Sequence, residues 1–197
     1  MTKNTTIYDA NFTAGGLLLE ELLALEGIMG APDAHERLKR EEELNEHMAV
    51  KTLGARKRIL SELKRRNDVA PEGFWPWYYT LSKPEQALAA FYLCLKAYRI
   101  VLDLHMELGV KKYRIGSDLK AYDVALFLDG IAGADEDVGA WSSLTLDKLN
   151  GQYRTVLKDA GLLEKNQLGK VFGIPQSFWD FFTQRGEGWF LEACFEA

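Results

Sequence analysis

The chain has 197 residues, a hydrophobic share of 47%, a charged share of 27% and a formal net charge of −5. This is an ordinary globular composition with enough apolar material for a core, and it excludes global disorder. The two cysteines, Cys94 and Cys194, are too few and too far apart for the disulfide framework of a small secreted domain, so a reducing, cytoplasmic setting is expected.

Met1 to Asn11 is polar and lacks the apolar core of a secretory signal. Leu17, Leu18, Leu22, Leu23 and Leu25 predict a helix over 14–26, with Thr13 as its cap and Gly27 and Gly30-Ala31-Pro32 as its stop. A strongly charged second helix is predicted over 33–44 and a third over 53–66, followed by an aromatic helical turn over 74–79. Ser82 and Glu85 have capping-box spacing, with Pro84 in the first turn, and open a long helix to Leu108 closed by Gly109. That helix holds the most apolar stretch of the chain, 87–104, in which Cys94 reads as a buried small hydrophobe. Lys96, Arg99 and Asp103 interrupt the stretch, so it is too short and too charged to cross a bilayer.

A basic connector follows over 110–117, then a helix over 119–128 and an acidic loop over 130–139 with room for a helical turn. Ser142, Ser143 and Thr145 offer caps for a helix ending near Ala160-Gly161. Segments 162–164 and 170–174 flank the turn residues 165–169 and predict a small hairpin; one or two short aromatic helices close the chain. The expected fold is mainly α: a helical bundle with an N-terminal helix-turn-helix-like three-helix unit (1–80), a long connecting helix and basic connector (81–117), and a C-terminal winged-helix-like unit with one small β-hairpin (118–197).

Net charge alone argues mildly against a nucleic-acid partner, but the charges are segregated. Segment 20–46 is acidic, whereas 51–66 carries Lys51, Arg56, Lys57, Arg58, Lys64, Arg65 and Arg66 against Glu62 alone. On a helix, Leu53, Ile59, Leu60 and Leu63 gather on one side, while Lys51, Arg58 and Arg65 form one stripe and Lys57 and Lys64 another. Seven residues rise about 10 Å, a repeat able to follow a phosphate backbone. The competing reading is a solvated face paired with the acidic Glu41-Glu42-Glu43 before it. In the second basic segment, a helix burying Leu146, Leu149, Tyr153, Val156, Leu157 and Ala160 would expose Lys148, Gly151, Gln152, Arg154, Thr155 and Lys158, ahead of a hairpin with Lys165 and Lys170. That order is the winged-helix plan; Asp147 and Asp159 dilute its field, and such modules also dock proteins.

His35, His47 and His105 are scattered and match no ligand spacing, and His105 reads as a satisfied helix histidine. Gly15-Gly16 lacks the Lys-Ser/Thr of a phosphate loop, Asp135-Glu136-Asp137 reads as a solvated acidic loop before a cation site, and the aromatic clusters 74–79 and 178–182 read as core or interface. No catalytic residue, cofactor, metal or small-molecule substrate is expected.

The ordered set of Tyr8, Phe12-Thr13-Ala14-Gly15-Gly16-Leu17-Leu18, Thr52-Leu53-Gly54-Ala55-Arg56-Lys57-Arg58-Ile59 leading to Leu63, Lys96-Ala97-Tyr98 with Asp103, Leu144-Thr145-Leu146-Asp147-Lys148-Leu149 and Leu157-Lys158-Asp159-Ala160-Gly161-Leu162-Leu163 resembles the BrxA family over nearly the whole chain. These are small proteins of bacterial BREX phage-defence systems. The resemblance implies a helical protein encoded beside a DNA methyltransferase and ATPase-type components, a fold compared with the antitermination protein NusB, and DNA binding. An older inner-membrane label for the family conflicts with Lys96, Arg99 and Asp103. The family has no assigned catalytic residues. The expected function is thus that of a non-catalytic, double-stranded DNA-binding accessory protein of a BREX system, using phosphate contacts with weak sequence preference; the expected interface is Lys51, Arg56, Lys57, Arg58, Lys64, Arg65, Arg66, Lys148, Gln152, Arg154 and Lys158. Other BREX proteins are a second expected class of partner. The alternatives are an adaptor docking on larger defence subunits, or a binder of RNA or the transcription machinery of NusB type.

Overall fold

The computed structural model describes residues 7–196. A 3₁₀ turn over Asn11–Ala14 opens the described chain, and α1 forms only at Leu19–Ala24. The helix expected over 14–26 is therefore corrected. Gly15 is extended and Leu18 is left-handed at φ 57°, so the stretch between them cannot propagate a helix. The cause lies elsewhere in the chain: the buried guanidinium of Arg66 donates to the carbonyls of Gly16 and Leu17. The side chain of Thr13, the expected cap, lies outside the described residues.

Next come α2 (Ala34–Leu44), α3 (Leu53–Val69), α4 (Phe74–Tyr78) and α5 (Lys83–Ala97). The α5 capping box of Ser82 and Glu85 forms as expected, with Pro84 in the first turn. Every residue from Gln86 to Leu95 is buried, which explains why this helix is apolar on all sides. The expected single helix to Leu108 breaks at Tyr98, which is extended (φ −129°, ψ 102°) and buried beside the Phe12 ring at 5.2 Å. The chain resumes as α6 (Arg99–Leu104), passes through a π turn (His105–Gly109) and continues as α7 (Val110–Arg114). Gly109 thus does not end a helix. A Cβ there would lie 2.6 Å from the Tyr153 hydroxyl and 3.0 Å from His105 Nδ1, so close packing requires glycine. The expected connector over 110–117 is helical for its first five residues.

The acidic loop expected over 130–139 is also mostly helical: α8 (Ala121–Ala134) runs further than foreseen, and Asp135 then caps α9 (Glu136–Gly139) by accepting from Val138 N at 3.0 Å. Ser142 Oγ accepts from Thr145 N and opens α10 (Ser143–Asp159). Leu149, Tyr153, Val156, Leu157 and Ala160 are buried on α10, as their spacing predicts. Gly161, at φ 76°, lets the chain leave α10 with Leu162 N donating to Leu157 O. The hairpin follows: β1 (Leu163–Glu164) pairs antiparallel with β2 (Gln167–Leu168), Leu163 opposite Leu168. Its loop is Lys165-Asn166, with Lys165 at φ 55°, so the second strand lies earlier than the expected 170–174. The pairing of Leu163 with Leu168, both packed on the core, sets the shorter register.

The chain closes with α11 (Gln176–Thr183) and α12 (Trp189–Ala193). The two aromatic segments meet, Trp77 stacking on Phe181 at 3.8 Å. The fold is mainly α with one small hairpin. A single hydrophobic cluster reaches from Phe12 to Phe195, so the expected segments 1–80, 81–117 and 118–197 share one core. Among the described residues no helix is long and apolar enough to cross a membrane.

Candidate nucleic-acid interface

The helix α3 is placed by its entry loop and its buried side. Glu41, itself buried, closes the α2–α3 loop: its carboxylate accepts from the backbone N–H groups of Glu46, His47 and Met48 and pairs with His47 Nδ1 at 2.8 Å. Burial pushes the Glu41 carboxyl up, but the bonds from Met48 and His47 outweigh it and hold the group below the usual carboxylate range. Glu41, Glu46 and His47 lie close enough together to suggest a cation site. Glu41, however, already accepts four hydrogen bonds, and Arg40 reaches Glu46 at 3.3 Å, so the cluster serves the loop. Thr52 then caps α3 by accepting from Ala55 N at 3.2 Å.

The seven expected cations of this region divide into two sets. Arg56, half-buried, donates to the carbonyls of Glu42 and Val50, each at 3.0 Å, and ties α3 to the end of α2 and the loop. Arg65 pairs with Asp9 at 2.6 Å and lies 5.0 Å over the Tyr98 ring. Arg66 is fully buried. Its assignment as a phosphate contact is corrected: a guanidinium held by two backbone carbonyls inside the core cannot reach a polyanion. Lys57 is exposed and stands 3.7 Å from Glu42. Lys51 and Arg58 are exposed and Lys64 half-buried, and none of the three has an ion pair among the described residues. The acidic α2 therefore engages Lys57 through Glu42, while Glu41 turns to its own loop. Leu53, expected on the apolar side, is also corrected: it is 48% exposed, because it opens the helix beyond the reach of the core.

On α10, Lys148 and Lys158 are exposed and without ion pairs among the described residues. Arg154 turns to the hairpin, donating to Asn166 Oδ1 at 2.8 Å, so its first role is to hold that turn. Gln152 is half-buried, its amide nitrogen 3.4 Å from where a Cβ on Gly16 would stand. Both helices thus rest on the segment 11–17: α3 through Arg66, α10 through Gln152. Lys165 was placed on the basic hairpin by the sequence but not counted among the expected contacts. It is exposed at the hairpin tip, and the signal was the Lys165-Asn166 pair, where Asn favours a tight turn.

One surface cleft carries the wrong chemistry for a phosphate. A shallow groove along Gly16–Leu19 is edged by Glu20, Glu21 and Asp159, and desolvation pushes the Asp159 carboxyl upward. His105 is buried and both its nitrogens are occupied: Nε2 lies 2.7 Å from the Ala193 carbonyl and Nδ1 3.0 Å from the Tyr153 hydroxyl. Burial pushes its pKa down to about 4.

These features define a single-core, mainly helical fold with a cationic helix at its surface. The same fold occurs in the crystal structure of an uncharacterized protein from Magnetospirillum magneticum, with a TM-score of 0.72 and 16% sequence identity, covering 96% of this chain and 98% of that one. No curated protein matches the sequence. The BrxA family model matches residues 6–178, and the chain belongs to the BrxA family of BREX phage-defence proteins.

Proposed function

We propose that this BrxA-family chain is a non-catalytic, double-stranded DNA-binding accessory protein of its defence system, acting in the cytoplasm. The observation that carries the reading is the division of labour on α3. Arg56, Arg65 and Arg66 hold the helix in place, while Arg58 on the helix and Lys51 in the loop just before its Thr52 cap are exposed with no ion pair among the described residues. A helix fixed by some of its cations and presenting the others is suited to phosphate contacts. Helix α3 and its predecessor act in the manner of a helix-turn-helix, and α10 with its hairpin acts as a winged element. Lys148, Lys158 and Lys165 supply the second contact. Sequence preference is weak, because the exposed set is Lys-rich and poor in Asn and Gln.

The test is the salt dependence of binding to a random duplex. Counterion release gives a slope of log K on log salt of about −2.7 for Lys51, Arg58 and Lys64 alone, steepening to about −5.4 with Lys148, Lys158 and Lys165. A flat dependence contradicts the reading. Preference for RNA of equal length over duplex DNA would favour a NusB-type role instead. The adaptor reading keeps one specific support, Phe172, which is 84% exposed just after the hairpin. It loses the aromatic segments, since 74–79 and 178–182 pack on each other. Co-purification with a larger defence subunit that survives high salt and nuclease would favour it.

A further inference from the structure

One ridge of α3 carries Gly54, Arg58, Ser61 and Arg65, spaced at helical intervals so that small residues alternate with arginines. The two arginines stand about 10 Å apart along the helix. Arg58 is exposed and has no ion pair among the described residues, whereas Arg65 is covered. Its guanidinium donates to Asp9 Oδ2 at 2.6 Å. The ridge runs on to Asp68, which pairs with His35 at 2.6 Å. The acid on Arg65 thus comes neither from α3 nor from the acidic α2, but from the N-terminal segment.

We propose that Asp9 is an autoinhibitory latch: its carboxylate occupies the place of a DNA phosphate on Arg65 and gives way when duplex DNA docks along the ridge. The latch rests on the DNA-binding reading of α3 above. The pair is suited to exchange. Its side chains are 31% and 39% exposed, and an ion pair open to water is held weakly enough for a phosphate in a polyanionic row to displace it. Arg65 keeps its position without Asp9, since its guanidinium lies 5.0 Å over the Tyr98 ring. The N-terminal segment keeps its position too. Tyr8 donates to Asp103 at 2.9 Å on one side of Asp9, and Arg66 holds the carbonyls of Gly16 and Leu17 on the other. Exchange therefore needs only side-chain movement.

Asp9→Asn removes the charge of the latch and little else, because its amide oxygen can still accept from Asn11 N as Asp9 Oδ1 does at 2.9 Å. Fluorescence anisotropy with a random 30-base-pair duplex at low salt should show about threefold tighter binding by Asp9→Asn than by the wild type, with an unchanged circular-dichroism spectrum. The gain should vanish when both chains also carry Arg65→Met. Wild-type binding that Asp9→Asn leaves unchanged or weakens would overturn the latch and leave the DNA-binding reading standing. A gain of equal size on the Arg65→Met background would overturn it as well, since net charge alone would then explain the effect. Binding by neither the wild type nor Asp9→Asn would overturn the reading and the latch together.

Discussion

Arg66 donates its guanidinium to the backbone carbonyl of Leu17, forty-nine residues earlier in the chain, and to that of Gly16 beside it. This buried cation fixes the segment that both cationic helices rest on, and it keeps that segment from becoming the helix its leucines suggest. Arg66→Met preserves the apolar stem but strands two carbonyls and leaves the buried Glu62 with only Arg65 of its two nearby positive charges. We expect a loss of about 3 kcal/mol in chemical denaturation, against about 0.5 kcal/mol or less for Arg58→Met on the exposed side. Similar losses for the two variants would contradict the division of α3 into anchoring and presenting cations.

Glu41 does for the α2–α3 loop what Arg66 does for the N-terminal segment. Glutamine at position 41 has one carbonyl oxygen where the carboxylate uses two, so it cannot accept from Glu46, His47 and Met48 together. Glu41→Gln is expected to cost about 2 kcal/mol and to speed amide exchange at residues 46–48. Exchange unchanged at those positions would show that the loop is held by something else.

His105 makes folding sensitive to acid. Its folded pKa, about 4, lies below its ordinary 6.5, so the unfolded chain takes up the proton first. Stability is therefore full above pH 6.5 and falls as the pH drops toward 4, by about 3 kcal/mol from this group. Glu41, with a lowered pKa, loses stability in the same direction as pH falls through its folded value; Glu62, raised by desolvation, works the opposite way. Denaturant midpoints measured between pH 7 and pH 4.5 should decline, and His105→Gln should flatten the upper part of that decline. An equally steep decline in the variant would assign the acid sensitivity to other groups.

Gly109 and Gly130 both lie inside helical segments, yet alanine should act oppositely at the two. At Gly109 the new methyl meets the Tyr153 hydroxyl and the His105 ring, and strain of about 1–3 kcal/mol outweighs the gain in propensity. At Gly130 a new methyl would meet no described residue within 4 Å, so the gain in propensity stands. Melting temperatures of the two single variants check the contrast, and a stabilised Gly109→Ala would show that the π turn does not need its glycine.

Much of the architecture was legible from spacing and caps. The capping box at Ser82, the cap at Ser142, the buried face of α10 and the apolar α5 follow from local pattern. The failures share a cause, since each depends on a distant partner. Leu17 and Leu18 fit a helix until Arg66 takes the carbonyls of Gly16 and Leu17. Tyr98 fits one until it packs against Phe12. For the site, residue type marked α3 as cationic but not which cations were committed to the fold. A partial signal existed: Arg66 follows Ile59 by seven and Leu63 by three, so it falls on the apolar side of the wheel. Arg65 gave no such sign, because its partner Asp9 lies far off in the sequence.

In the proposed function, Arg58 on α3 and Lys51 just before it carry the contact with DNA. Fluorescence anisotropy with a random 30-base-pair duplex at two salt concentrations tests it, with wild type beside Lys51→Glu/Arg58→Glu and circular dichroism confirming that both are folded. The account predicts salt-sensitive binding by the wild type that the charge-reversed variant loses. No binding by the wild type at low salt, or equal binding by the folded variant, would contradict it.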